Sequence, residues 1–313
     1  MSDNQSGAKA DLEIPGKTAT EVVQRISDFM KQRQGGAPQE QQQTNTTGTP
    51  YDFSKIHLHI GIPCYGGMCS EPTMTSLLKF ILMAQRMGMH WSLDTMVNES
   101  LITRGRNNLM AKMMSNKAAT HFMFIDADIR FEPDAIFNML VYEKEVIGGL
   151  YPKKSIPSNY VINLLPQTKI QGDVFTVDTM GTGFLIFKRE VYERLCAAHP
   201  ESKYVDDVGL GKQYEPYMYA IFDVAIDEKG HYLSEDWLFC RRWQKLGGEI
   251  WAHSKVLLNH VGHYEYAGDL DKIAIGQRGS MGIIEDTLKA QGARLEQANK
   301  ETQELHAQQA PDA

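Results

Sequence analysis

The sequence predicts an α/β protein whose Rossmann-type, mostly parallel sheet carries helices on both faces and a small antiparallel extension. Three observations carry that expectation. Short apolar runs alternate with helix-period segments between residues 56 and 252. One run, His121–Ile125 (HFMFI), is continuously apolar after its first residue and stops abruptly at acids, as a buried parallel strand does. With 42% hydrophobic and 23% charged residues over 313 positions, the composition excludes a mostly disordered, collagenous or membrane-embedded chain.

Residues 1–50 are expected to stand outside the core. Thr18 and Glu21 have capping-box spacing, and Val22, Val23, Ile26, Phe29 and Met30 recur on one helical face. The helix they predict, over 19–31, either docks on its own domain or meets a partner. From Gln32 to Pro50 only Ala37 is apolar, amid Gln, Thr, Gly and Pro, which is the composition of a flexible linker.

A globular domain is expected over 51–270. Ile56–Ile62 alternates, with Ile56, Leu58, Ile60 and Ile62 on one face. His57 and His59 lie on the other, where solvent or a neighbouring layer is a better partner than a metal. Pro72 precedes a helix carrying Leu77, Leu78, Ile81 and Leu82. Strand Trp91–Val97 follows, then a helix whose Leu109, Met110, Met113 and Met114 read as core filler. After HFMFI come a helix at 133–142, a strand at 146–150 and a strand-rich section through Val161, Phe175, Leu185 and Met218–Phe222. Helix Ser234–Leu246 and strand Glu249–Ala252 complete the alternation. The tail, 271–313, is polar and helix-prone, with a thin stripe at Ile284, Leu288 and Leu295 interrupted by Gly292. It reads as a surface helix, a weak oligomerisation segment or disorder.

A net charge of −7 leaves no global basic field, so a polyanionic partner would need a local patch. The four cysteines, Cys64, Cys69, Cys196 and Cys240, lack paired CxxC zinc spacing and point to a reducing compartment. Met1–Leu12 is polar without an apolar leader core, and no run approaches the ~20 apolar residues of a spanning helix. The expected setting is soluble and cytoplasmic.

Four constellations could carry chemistry. Asp126-Ala127-Asp128 follows the HFMFI strand, and residues i and i+2 of an extended chain share a face. Two carboxylates beyond the carboxyl edge of an α/β sheet suit Mg²⁺ or Mn²⁺, and through it a nucleotide diphosphate. The same pattern recurs at Asp269-Leu270-Asp271 in a polar stretch, so the strand context is what singles out the first pair. Ser234-Glu235-Asp236-Trp237 opens a helix, where acids suit the dipole and where one carboxylate could take a proton from a hydroxyl. His260, with His263 a weaker candidate, follows an apolar run and could add a nitrogen ligand to a metal. Arg104-Gly105-Arg106-Asn107 at a helix start is either an anion site or a solvated basic helix end. Gly148-Gly149-Leu150-Tyr151 and Met180-Gly181-Thr182-Gly183-Phe184 permit close backbone approach or mark turns, and neither matches a P-loop or GxGxxG.

The order strand-DAD, GTGFLIFKRE, SEDWLFCRRWQKLGG, strand and LNH resembles the GT-A fold of nucleotide-sugar glycosyltransferases over about residues 56–266. The ED-x-x-L-x-x-R helix, the following glycines and the later strand histidine are similar to family 2-like members. The RGRN stretch before FMFIDAD is similar to Anp1/Mnn9-type mannosyltransferases. Phage-encoded glycosyltransferases of this compact layout, some acting on hydroxymethylated pyrimidines in DNA, are a looser similarity; for one of these the location would be the host cytoplasm. The resemblance implies that Asp126 and Asp128 hold Mn²⁺ or Mg²⁺ and the donor diphosphate, with His260 completing the metal shell. It implies Asp236 as general base of an inverting transfer, with Glu235 supporting it or touching the acceptor. Pro63, Cys64, Tyr65, Arg104, Arg106 and Asn107 would bind the donor, and Gly181, Thr182, Gly183 and Trp237 would border the acceptor. The first strand lacks the family's usual acids for base and ribose, and 199–232 has no counterpart in its pattern.

The implied activity is metal-dependent transfer of a sugar from a nucleotide-diphosphate donor to an acceptor hydroxyl on a glycan, a protein or a hydroxymethylated pyrimidine in DNA. The alternatives are a nucleotidyltransferase and a non-catalytic nucleotide- or glycan-binding protein. Lys153-Lys154 and Arg241-Arg242, with Tyr151, Trp237 and Trp243 nearby in sequence, could touch a phosphate backbone and a base, or could be ordinary surface pairs.

Overall fold

The computed structural model describes residues 51–268, except 157, 158 and 208. The segment 19–31, the linker before Tyr51, the Asp269/Asp271 pair and the tail 271–313 lie outside the described residues.

Five α-helices are described: α1 Glu71–Arg86, α2 Ile102–Ser115, α3 Ala135–Leu140, α4 Arg189–Ala198 and α5 Glu235–Lys245. The strands in chain order begin with β1 His57–Cys64, β2 His90–Val97, β3 His121–Ile125, β4 Ile129–Arg130 and β5 Val146–Leu150. Then come β6 Ile162–Asn163, β7 Ile170–Gln171, β8 Val174–Val177, β9 Thr179–Met180 and β10 Phe184–Lys188. The last are β11 Ala225–Ile226, β12 Tyr232–Leu233, β13 Ile250–Leu257, β14 Asn259–Val261 and β15 Glu265–Tyr266.

The main sheet has eight strands in the order β2-β1-β3-β10-β5-β13-β8-β7. Parallel pairing of β1 with β2 and β3, and of β5 with β13, sets a common direction that only β10 and β8 reverse. The expected α/β class with a mostly parallel sheet is therefore what the chain adopts. Helices cover both faces. Met123 and Ile125 of β3 join a core beneath α1 and α3, while Phe122 and Phe124 point the opposite way into a core beneath α2, α4 and α5. Two covered faces explain why HFMFI does not alternate with polar residues.

Local chemistry fixes the helix starts. Ser70 caps α1 by accepting the Thr73 N–H, and Pro72 lies in its first turn. Adjacent apolar residues on a helix are 100° apart, so only one of each pair faces the sheet. Leu77, Phe80 and Ala84 are buried, whereas Leu78 and Leu82, expected on the packed face, are 55% and 58% exposed.

Several boundaries differ from expectation. The helix expected over 133–142 is confined to α3, and the strand expected at 249–252 runs on to Leu257. Helix α4 was not anticipated. Met218–Phe222 is not a strand, although Met218, Ile221 and Phe222 are buried. The Lys203–Tyr219 bridge, with bonds from the Tyr204 N–H to the Met218 carbonyl and from the Ala220 N–H to the Ser202 carbonyl, pairs its first residues, and side chains take over beyond it. Asn107 bonds both the carbonyl and the N–H of Phe222, at 2.8 and 2.9 Å, and Arg242 donates to the Ala220 and Ile221 carbonyls at 2.7 Å. Phe222 then stacks on Phe239 of α5 with centroids 4.8 Å apart.

Candidate active site

The carboxyl ends of β1, β3, β5 and β13 share one edge with the start of reversed β10, where ligands of open α/β sheets bind. Asp126 leaves β3 with its N–H on the Gly183 carbonyl at 2.8 Å, so the acid and the glycine turn before β10 are tied together. A Cβ on Gly183 would lie 2.5 Å from Asp126 Oδ2 and 2.9 Å from the Tyr151 hydroxyl oxygen, and that hydroxyl accepts the Gly183 N–H at 3.0 Å. Glycine is required here by close approach rather than by φ.

Arg106 is the buried centre of the site, with its side chain only 4% exposed. It donates from Nη2 to Asp126 Oδ1 at 2.8 Å, and its Nε lies 3.4 Å from Glu235 Oε1 at the start of α5. A single guanidinium thus joins acids 109 residues apart (235 − 126). Burial would lower its pKa, but Asp126 and Glu235 more than offset that and raise it. Its Nη1 has no hydrogen-bond partner among the described residues. Tyr151 is fully buried nearby, and burial, with Asp126 next, pushes its phenol far above the usual range. Asp236 Oδ1 accepts the Ser234 hydroxyl and, at 2.8 Å, the Trp237 N–H. Ser234 therefore orients Asp236 instead of capping α5.

Asp128 faces different partners. Lys154 Nζ lies 2.5 Å from its Oδ2 and His260 Nε2 lies 3.4 Å from its Oδ1. Burial alone would push this carboxyl up, yet hydrogen bonds from His260 and Lys154 hold it below the ordinary carboxylate range. His260 donates Nδ1–H to the Pro152 carbonyl at 2.9 Å, and its ring meets the Tyr151 ring edge-on at 5.6 Å. The loop after β1 closes on this side through the Ser70 N–H to Ala127 carbonyl bond of 2.8 Å. Burial and the nearby Asp128 charge raise the Cys69 thiol.

The expected pairing of Asp126 with Asp128 around one ion is therefore not assembled as it stands. Among the described residues no three His, Cys, Asp or Glu side chains gather as a metal site. Arg106 draws Asp126 inward, while Asp128 turns to Lys154 and His260. Two observations still fit a divalent ion at Asp128 and His260. With Nδ1 held on the Pro152 carbonyl, Nε2 is the ring nitrogen that faces Asp128, the orientation of a metal-ligating imidazole. Asp126, Asp128, Glu235 and Asp236 set four negative charges against Arg106 and Lys154, which leaves a deficit of two.

The remaining expected residues are placed unevenly. Pro63 and Cys64 end β1, and burial raises the Cys64 thiol, while Tyr65 beyond them is 71% exposed. Gly181 is buried against the Tyr151 hydroxyl, Thr182 is buried with its Oγ1 unpaired among the described residues, and Trp237 is half-buried on α5. Arg104 is not free for an anion, because Glu99 takes it in two bonds of 2.6 and 2.9 Å. Asn107 faces the interior and holds Phe222, and His263 is exposed in the β14–β15 turn. Three of the four basic residues offered for a phosphate backbone are also committed. Arg241 forks onto Asp178, Arg242 holds carbonyls, Lys154 meets Asp128, and Trp243 is buried. Tyr151 and Lys154 were not foreseen as members of this site; the signal was present in GGLYPKK, a buried strand whose carboxyl end reaches the same edge as the acids.

No protein-family model matches the chain, and no curated protein matches it. Solved structures resemble it weakly. A197 from STIV is 15% identical with a TM-score of 0.41, covering 66% of this chain and 86% of that one. UDP-glucose pyrophosphorylase complexed with UDP-glucose is 9% identical with a TM-score of 0.37, covering 71% and 98%. S. aureus TarS is 12% identical with a TM-score of 0.33, covering 64% of this chain and 35% of that one. At these levels none of the three assigns an activity to this chain.

Proposed function

We propose that the chain is a glycosyltransferase that moves a sugar from a nucleoside-diphosphate donor to an acceptor hydroxyl. The observation that carries this reading is Arg106, which brings the acid at the β3 tip and the acid at the α5 start within reach of one guanidinium. In this reading Arg106 is a positioning residue. It holds Asp126 at the donor side and Glu235 at the acceptor side, and the acids in turn offset its burial.

Asp128 and His260 would hold Mn²⁺ or Mg²⁺, which when bound would offset charge developing on the leaving diphosphate. Asp236, whose Oδ1 is held by the Ser234 hydroxyl and the Trp237 N–H, takes the proton of the attacking hydroxyl on Oδ2 as that hydroxyl displaces the diphosphate with inversion. Tyr151 keeps Gly183 and His260 in register around the donor. Exposed Tyr65 beyond β1 supplies a face for the nucleotide base.

The test is a panel of nucleotide sugars with Mn²⁺, reading release of nucleoside diphosphate. Transfer to simple glycans, a protein acceptor and hydroxymethylated DNA is then scored. Asp236→Asn is expected to keep donor binding and lose transfer. Consumption of nucleoside triphosphate with release of pyrophosphate would replace this reading with a nucleotidyltransferase. Donor binding without turnover in any combination would leave a binding protein.

A further inference from the structure

The residue with the least expected position is Lys154. Its ammonium lies against Asp128, and its stem runs beside Gly262, where a Cβ would come within 3.3 Å of the lysine Cδ. The backbone around it is fixed by the Lys153 N–H to Asn159 carbonyl bond of 2.6 Å and by the Pro152–Tyr160 bridge. The same short stretch supplies the Pro152 carbonyl that orients the His260 ring and the Tyr151 ring that packs on it. Lys154 is thus aimed at the Asp128–His260 pair by a built arrangement, and its side chain remains 39% exposed.

We propose that Lys154 is an exchangeable counter-ion, neutralising Asp128 while no divalent ion is bound and pairing with the donor diphosphate once one is. This rests on the glycosyltransferase reading and deepens its donor site. The physical reason is electrostatic. A doubly charged ion on Asp128 within about 4 Å of an ammonium repels it, and the repulsion is relieved only if an anion sits between them or the lysine swings away. A diphosphate is such an anion, and lysine is a compact point charge on a flexible stem, suited to change partners. In the charge count above, a divalent ion brings the site to neutrality, so an incoming diphosphate no longer meets net negative charge.

The experiment titrates Mn²⁺ alone into the full chain, followed by loss of the free-ion paramagnetic resonance signal. The Mn²⁺–pyrophosphate complex is then titrated by calorimetry as a probe indifferent to the nucleotide base. Wild type is compared with Lys154→Met, Lys154→Arg and Asp128→Asn. Lys154→Met is expected to bind Mn²⁺ about 3- to 10-fold more tightly, the scale of losing a partly exposed pair plus a repelling charge. It is expected to bind Mn²⁺–pyrophosphate about 10-fold more weakly, the scale of one charge-assisted phosphate contact. Lys154→Arg should stay within about threefold of wild type on the first measurement, because the charge is kept. A merely structural role would move both affinities the same way, so parallel changes overturn the proposal. Unchanged Mn²⁺ affinity in Lys154→Met, with binding still lost in Asp128→Asn, overturns the proposal but leaves the metal site standing. Absence of Mn²⁺ binding in every form overturns both.

Discussion

Replacing Arg106 with methionine removes the guanidinium while keeping an apolar stem over the Phe124 ring, above which the arginine Cζ sits at 5.1 Å. Asp126 and Glu235 lose their shared counter-ion. Removing one partner of a buried ion pair costs about 3–5 kcal/mol. Two features of the site reduce that. Asp126 and Glu235 are 27% and 14% exposed, so water replaces part of the lost interaction, and the unpaired Nη1 no longer has to be desolvated, a gain of about 1 kcal/mol or more. The expected net loss is about 2 kcal/mol, or a fall in Tm of about 4–8 °C for a domain of this size. Urea unfolding and calorimetric melting of the full chain measure it. The cycle Arg106→Met, Asp126→Asn and the double variant should give a coupling energy of about 1.5–3 kcal/mol, the range for a charge-assisted bond. A single variant within about 0.5 kcal/mol of wild type, or an additive cycle, would refute the claim that this guanidinium holds the two acids.

Three further outcomes are expected. Gly183→Ala places a methyl 2.5 Å from Asp126 Oδ2 and 2.9 Å from the Tyr151 hydroxyl, so it should destabilise by about 1–3 kcal/mol and weaken nucleotide-sugar binding together, as read by melting and calorimetry. Asn107→Ala leaves the buried Phe222 N–H and carbonyl without partners, costing about 2–3 kcal/mol in urea unfolding with nucleotide KM unchanged; a change in KM alone would return Asn107 to the donor site. Buried His253 accepts the Lys255 N–H on Nδ1 at 3.1 Å, and burial lowers its pKa from 6.5 to about 4. Because the folded value lies below the unfolded one, the unfolded chain takes the proton first, so stability is lost as pH falls from 6.5 toward 4, by about 2–3 kcal/mol. His253→Asn, which keeps an acceptor but does not titrate, should flatten that part of the stability–pH curve.

The sequence by itself determined the strand order's raw material: an apolar run covered on both faces, a helix opened by Ser234 and two acids, and a strand at 146–150, all written in local pattern and spacing. Local pattern failed where long-range bonds replace a ladder. Met218–Phe222 reads as a strand, yet beyond a single bridge from Tyr219 to Lys203 it is Asn107 and Arg242, distant in sequence, that hold its backbone. The same limit governs the site. Spacing put Asp126 and Asp128 on one face and left Arg104 and Arg106 as either an anion site or a solvated helix end. Only the tertiary structure decided that Arg106 takes Asp126 and that Lys154 and His260 take Asp128. Which counter-ion a buried charge finds depends on residues tens of positions away, and no local rule of period or propensity contains that information.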